Sequence, residues 1–211
     1  MTDAPDSQGS QDSAPESAHE VAEYALLGLL REGPRHGYRL AAEFGANGRL
    51  GMIFRLKMGQ MYAYLRKLER QRLLVAHDEP GEMAGRTRRV FAWTPAGRRV
   101  FEAWLTEPVE ATRDLRLAFL VKLAFTLDDP AASLALLERQ RAATAAWLAR
   151  LRARESEGGR DPKEPTRDLL RRLALRRRIL QTEAALAWLD ETRATVVSGG
   201  LGDAGGGAGD R

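Results

Sequence analysis

The sequence predicts a mostly α-helical chain with one small β-hairpin set into its first half. Three observations carry this. Apolar residues recur at three- and four-residue spacing over most of 21–197, strand-like patterning is confined to 73–94, and both ends are poor in residues to bury. The 211 residues suit one medium or two small domains. The absence of cysteine excludes disulfides, zinc fingers, Fe–S ligation and thiol catalysis, and is compatible with a reducing cytosol.

The ends read as tails. Residues 1–20 carry five acids, no Lys or Arg and no apolar run, so they fit no secretory signal and are expected to be a disordered acidic tail of a cytoplasmic protein. Residues 198–211, SGGLGDAGGGAGDR, are expected to be disordered and Gly-rich; with no strand before them and no Gly-Lys-Ser/Thr, they are not a phosphate loop. The apolar run Tyr24 to Leu30 is far short of the roughly 20 residues that cross a bilayer, so no membrane contact is expected. Charge is uneven: 21–106 carry 15 Lys+Arg against 8 Asp+Glu, and 107–197 carry 17 against 14. The basic first half attracts polyanions by its long-range field.

A first helix starts at Val21, with Tyr24, Ala25, Leu27 and Leu30 inward and Glu23 and Arg31 outward, and ends at Gly33-Pro34. A short second helix runs from about His36 to Phe44, before a loop containing Gly45, Gly48 and Gly51. The third, Met58 to about Arg72, puts Met61, Leu65 and Leu68 on one stripe and Gln60, Ala63, Arg66, Lys67 and Arg70 on other faces. Strands at 73–76 and 87–94 flank a glycine-containing loop. Thr94-Pro95 then opens a fourth helix, Thr as N-cap and Pro at the first helical position, that runs to Pro108. Three helices, a hairpin and a fourth helix give a winged helix-turn-helix domain, expected over 21–108.

Residues 109–197 are expected to form a helical dimerisation domain. A helix from about Thr112 to Leu127 precedes Asp129-Pro130, which caps the next, extending to about Glu157 with Leu134, Leu137, Arg141, Thr144, Leu148 and Leu151 on one stripe. The last helix, Pro165 to Val197, carries two stripes: Leu169, Leu173 and Leu180, and Leu175, Ile179, Leu186 and Leu189, with Trp188 beside them. One antiparallel partner cannot cover both, and a bare leucine row invites association, so a homodimer is expected.

Three separated segments resemble the PadR family of transcriptional regulators: YALLGLLREGPRHGY, with His36, Gly37 and Tyr38; LKMGQMYAYLRKLERQRLL, with Gly59, Met61, Tyr62, Leu65, Leu68, Glu69 and Leu73; and RRVFAWTPAGR, with Thr94, Pro95 and Gly97. The family pattern has Thr where Gln60 stands, a small hydroxyl residue near Lys57, and Gly where Arg72 stands. The resemblance implies dimerisation through C-terminal helices, usually repression, and release from DNA by a small, often aromatic molecule.

The expected mechanism places helix 58–72 in the major groove of double-stranded DNA and the wing, 77–88, on flanking backbone, two copies reading a pseudo-palindrome. The candidate DNA contacts are Tyr38, Lys57, Gln60, Tyr62, Tyr64, Arg66, Arg86 and Arg88. Each also fits a blander role: Tyr62 and Tyr64 in packing, the cations on a solvated face. Trp104, Trp147 and Trp188 are candidates to stack on an effector, or else core and interface anchors. No enzyme, metal or cofactor is expected: the three histidines, at 19, 36 and 77, fit no ligand spacing, and no Gly-x-Ser-x-Gly is present. The alternative from another class is a helical adaptor whose winged module and Arg171, Arg172, Arg176, Arg177 and Arg178 bind an acidic protein partner.

Overall fold

The computed structural model describes residues 18–80, 87–158 and 164–199; both expected tails, apart from Ala18 to Glu20 and Ser198-Gly199, and the tip of the wing lie outside them. The elements are α1 (Ala18–Leu29), β1 (Arg35–His36), α2 (Gly37–Glu43), α3 (Met58–Arg70), β2 (Leu74–Pro80), β3 (Thr87–Trp93), α4 (Pro95–Thr106), a 3-10 turn (Asp114–Arg116), α5 (Ala118–Ala124), α6 (Pro130–Glu157) and α7 (Pro165–Val197). The chain is mostly helical, a winged helix followed by C-terminal helices.

The sheet has three strands in the order β1-β3-β2, all antiparallel. The expected hairpin is present, in the register Leu74 opposite Trp93 to Pro80 opposite Thr87. The third strand is an addition. Arg35 and His36 pair with Phe91 and Val90, so His36 belongs to a strand and caps α2 from outside rather than opening it. Two residues are too few to show any alternation.

Four local findings differ from the sequence expectations. Glu23 is buried in α1 because its carboxylate accepts from Lys67 Nζ of α3 at 2.6 Å; a carboxylate with a partner can turn inward. Helix α3 stops at Arg70, and Arg72 takes a left-handed backbone, φ 58°, to turn the chain into β2. The helix expected over 112–127 is broken at Leu117 (φ −120°, ψ −69°) into the 3-10 turn and α5. On α6 the buried position is Gln140 rather than Arg141: the Gln140 amide accepts from Val109 N–H at 2.8 Å and donates to Val109 C=O at 3.0 Å, while Arg141 reaches α7.

The predicted caps are in place. Thr94 Oγ1 accepts from Gly97 N–H at 3.0 Å and the Asp129 carboxylate from Ala132 N–H at 3.1 Å. Helices α6 and α7 form an antiparallel pair stitched by Arg141–Asp190 at 2.6 Å, Arg152–Glu183 at 2.8 Å and Arg193–Glu138 at 3.6 Å. Between them Leu148, Leu151 and Ile179 form a small apolar cluster. The main core is continuous from α1 through Phe101 and Trp104 of α4 to Phe119 of α5 and Leu136 of α6.

Candidate nucleic-acid interface

The site is built on α3. Met61, Leu65 and Leu68 bury its inner stripe, worth about 1.5–3 kcal/mol for each side chain fully removed from water. The same 3.6-residue period turns Gly59, Ala63, Arg66 and Arg70 outward in one exposed row. A Cβ placed on Gly59 would meet no atom within 4 Å, so the N-terminal end of this row is open.

Lys57 is the N-cap of α3, a residue type whose side chain cannot accept a backbone N–H. Gln60 supplies half of a capping box instead: its Oε1 accepts from Lys57 N–H at 3.3 Å. Both side chains are exposed, and the Gln60 amide keeps its NH2 for an external acceptor.

The flanks of α3 are held by its neighbours. On one side Glu69 binds both carboxylate oxygens to Arg89 at 2.9 Å, and the Tyr62 ring lies 6.4 Å from Phe91, tying the helix to β3. Tyr62 also packs on Gly37, where an added Cβ would sit 2.4 Å from its hydroxyl oxygen. On the other side the Tyr64 hydroxyl hydrogen-bonds His19 of α1, and Lys67 pairs with Glu23. Tyr62 and Tyr64 are thus half-buried packing residues with polar edges, whereas Arg66 is exposed.

Tyr38 stands exposed at the start of α2. Its ring stacks on His36 with centroids 5.5 Å apart, and the guanidinium carbons of Arg39 and Arg88 lie 5.6 and 6.0 Å from its centroid. Tyr38 and Arg88 therefore meet, joining α2 to the wing. Arg86 lies outside the described residues. Exposed cations that the sequence reading did not single out are Arg39, Arg55 and Arg72; isolated arginines in loops and at helix ends carry no periodic signal.

The three tryptophans proposed for an effector do not converge. Trp104 is in the core, stacked on Tyr24 at 4.6 Å with Lys122 Nζ 4.7 Å from its ring centroid. Trp147 covers the α6–α7 cluster. Trp188 packs edge-on against Phe119 and also lines a groove of about 640 Å³ between the 3-10 turn and α7, whose other walls include Leu115, Arg113, Arg116, Arg177 and Gln181. Beside it, burial pushes the Asp114 carboxyl above its ordinary value, and Arg113 only partly offsets this.

The module of α1–α4 with its three-stranded sheet is a winged helix-turn-helix that presents exposed cations on α3. Residues 26–103 match the model of the transcriptional regulator PadR-like family, and residues 115–196 match the virulence activator alpha C-terminal model. The winged-helix part of the chain is thus PadR-like. No match is found among curated proteins. Similar solved structures include Bacillus subtilis PadR in complex with operator DNA (21% identity, 85% of this chain and 99% of that one, TM-score 0.43). The same protein in complex with p-coumaric acid matches at 21% identity over 86% and 98%, TM-score 0.37. The circadian clock associated protein Pex from anabaena matches at 23% identity over 44% and 79%, TM-score 0.36. Among the described residues no helix is long and apolar enough to cross a membrane.

Proposed function

We propose that the protein is a cytoplasmic, homodimeric repressor that reads a pseudo-palindromic operator with α3 in the major groove and the wing on flanking phosphates. The observation that carries this reading is the outward row of α3, in which Arg66 and Arg70 are exposed and carry no ion-pair partner among the described residues. Gln60 and Lys57 at the head of the helix and Tyr38 with Arg88 beside it extend the same surface; Arg86 completes the proposed set. Dimerisation is supported by the leucine stripe that α6 leaves uncovered: Leu169, Leu173 and Leu180 are 49%, 59% and 51% exposed, whereas Ile179 and Leu189 are buried.

A dimer that neutralises about eight phosphates binds with a log–log salt slope near −7. Replacing Arg66 and Arg88 by Ala removes DNA retention while leaving the dimer intact; a flat salt response, or unchanged retention in that variant, overturns the reading. The adaptor alternative is supported by the groove at the α6–α7 tip, where Arg154, Arg171, Arg172 and Arg176 surround Leu169 and Leu173. It predicts capture of acidic peptides that survives loss of Arg66 and Arg88.

For release, the groove at Trp188 is the site we assign, because its apolar floor and its arginines suit a flat organic anion. With p-coumarate as probe, tryptophan fluorescence is expected to quench saturably, and Trp188→Phe to abolish the change. Quenching that persists in that variant places the effector elsewhere.

A further inference from the structure

The start of α1 bears directly on the exposed face of α3. Ala18 opens α1, the next residue hydrogen-bonds Tyr64 of α3, and Glu23 holds Lys67 of α3. The described chain therefore begins on the flank of α3 that carries Tyr64 and Lys67, next to the outward row of Gly59, Ala63, Arg66 and Arg70.

The two segments have opposite charge. Residues 1–17 contain Asp3, Asp6, Asp12 and Glu16 and no Lys or Arg, whereas 55–72 contain six cations and the single acid Glu69. Glu69 is engaged by Arg89 and Lys67 by Glu23. Arg55, Lys57, Arg66, Arg70 and Arg72 remain as exposed cations without an ion-pair partner among the described residues. Reach is not limiting: a segment of this length spans up to roughly 55–60 Å when extended, against about 20 Å for α3.

We propose that residues 1–17 form an acidic strap that docks on the outward face of α3 and competes with DNA for it. The inference rests on the reading of α3 as the DNA-contacting face. Held by so short a tether, the carboxylates are presented at about millimolar effective concentration, so a contact too weak to detect between separate molecules is populated within one chain. Because the strap occupies the free protein, it lowers the affinity for operator and for random sequence by the same factor, leaving their ratio unchanged.

The test compares the full chain, a form lacking residues 1–17, and the full chain with Asp3→Asn, Asp6→Asn, Asp12→Asn and Glu16→Gln, by fluorescence anisotropy with a labelled random-sequence duplex. At low salt both altered forms are expected to bind about three- to tenfold more tightly than the full chain, the gap closing as salt screens the strap. Equal affinity of all three, or tightening on deletion but not on charge removal, overturns the strap while leaving the DNA reading standing. Absence of salt-dependent binding in every form overturns both. As the chain has no cysteine, a nitroxide on Ser10→Cys locates the strap: broadening of α3 amide signals is expected, and broadening confined to residues 171–178 overturns the assignment.

Discussion

Gly97 lies so close to Leu73 that a Cβ built on it would stand 1.8 Å from the Leu73 carbonyl oxygen. This contact seats the first turn of α4 on the turn that joins α3 to β2. Thr94 completes it: its hydroxyl lies 2.8 Å from the Arg72 carbonyl and 3.0 Å from that of Leu73, while accepting the Gly97 N–H. A backbone oxygen cannot swing aside as a flexible side chain would. Gly97→Ala is therefore expected to cost at least about 3 kcal/mol in urea unfolding.

Arg72 has the opposite problem. Its φ of 58° lies in the left-handed region, where a side chain is strained and glycine is not. Arg72→Gly is expected to gain about 0.5–1 kcal/mol, read as a melting point higher by roughly 1–4 °C. An unchanged or lower melting point would show that the long Arg72 side chain contributes more than the turn costs.

Gln60 allows capping and DNA contact to be separated. Glutamate at this position keeps an oxygen for the Lys57 N–H but brings a negative charge to the head of α3. Gln60→Glu should melt within about 0.5 kcal/mol of the parent stability while weakening duplex binding severalfold in gel shift. Equal binding would place the head of α3 outside the interface.

The stripe on α7 gives a direct test of the proposed dimer. Leu173→Glu combined with Leu180→Glu puts charge on the half-exposed row without touching the buried Ile179 or Leu189. Light scattering after size exclusion should report a monomer, with helical circular dichroism retained. A persisting dimer would move the interface to another face.

Asp114 supplies a pH dependence. Burial raises its pKa in the folded state, so its charged form is the penalised one. The penalty is present at neutral pH and disappears as pH falls through the raised pKa, where the folded state takes up the proton. Asp114→Asn should accordingly raise the melting temperature at neutral pH, and the difference should vanish in acid. A difference independent of pH would show that packing, not ionisation, is at work.

Helix caps were the most legible part of this chain, because a cap is local chemistry. Thr94-Pro95 and Asp129-Pro130 name their own helices, and both side chains accept the expected N–H groups. The buried stripe of α3 was legible for the same reason: Met61, Leu65 and Leu68 show their period within one turn or two. What escaped depends on partners distant in sequence. Glu23 reads as a surface residue until Lys67 is brought to it, and β1 is two residues made into a strand only by β3. The break at Leu117 has no Gly or Pro to announce it. Within the candidate site, exposure of Arg66 and Arg70 follows from the helical period, but the half-burial of Tyr62 and Tyr64 is set by Gly37, Phe91 and His19, which no spacing links to them.

Helix α1 packs on α3, α4 and α5. Gly28 admits the Phe125 and Phe101 rings where any Cβ would come within 2.7 Å of both, and Arg31 donates to the Phe125 carbonyl at 3.2 Å. A joint without slack behaves as a gear rather than a hinge. In the proposed dimer, a tilt of the helices beyond Phe125 would pass through this joint to α3, and the spacing between the two copies of α3 is what the proposed effector would control.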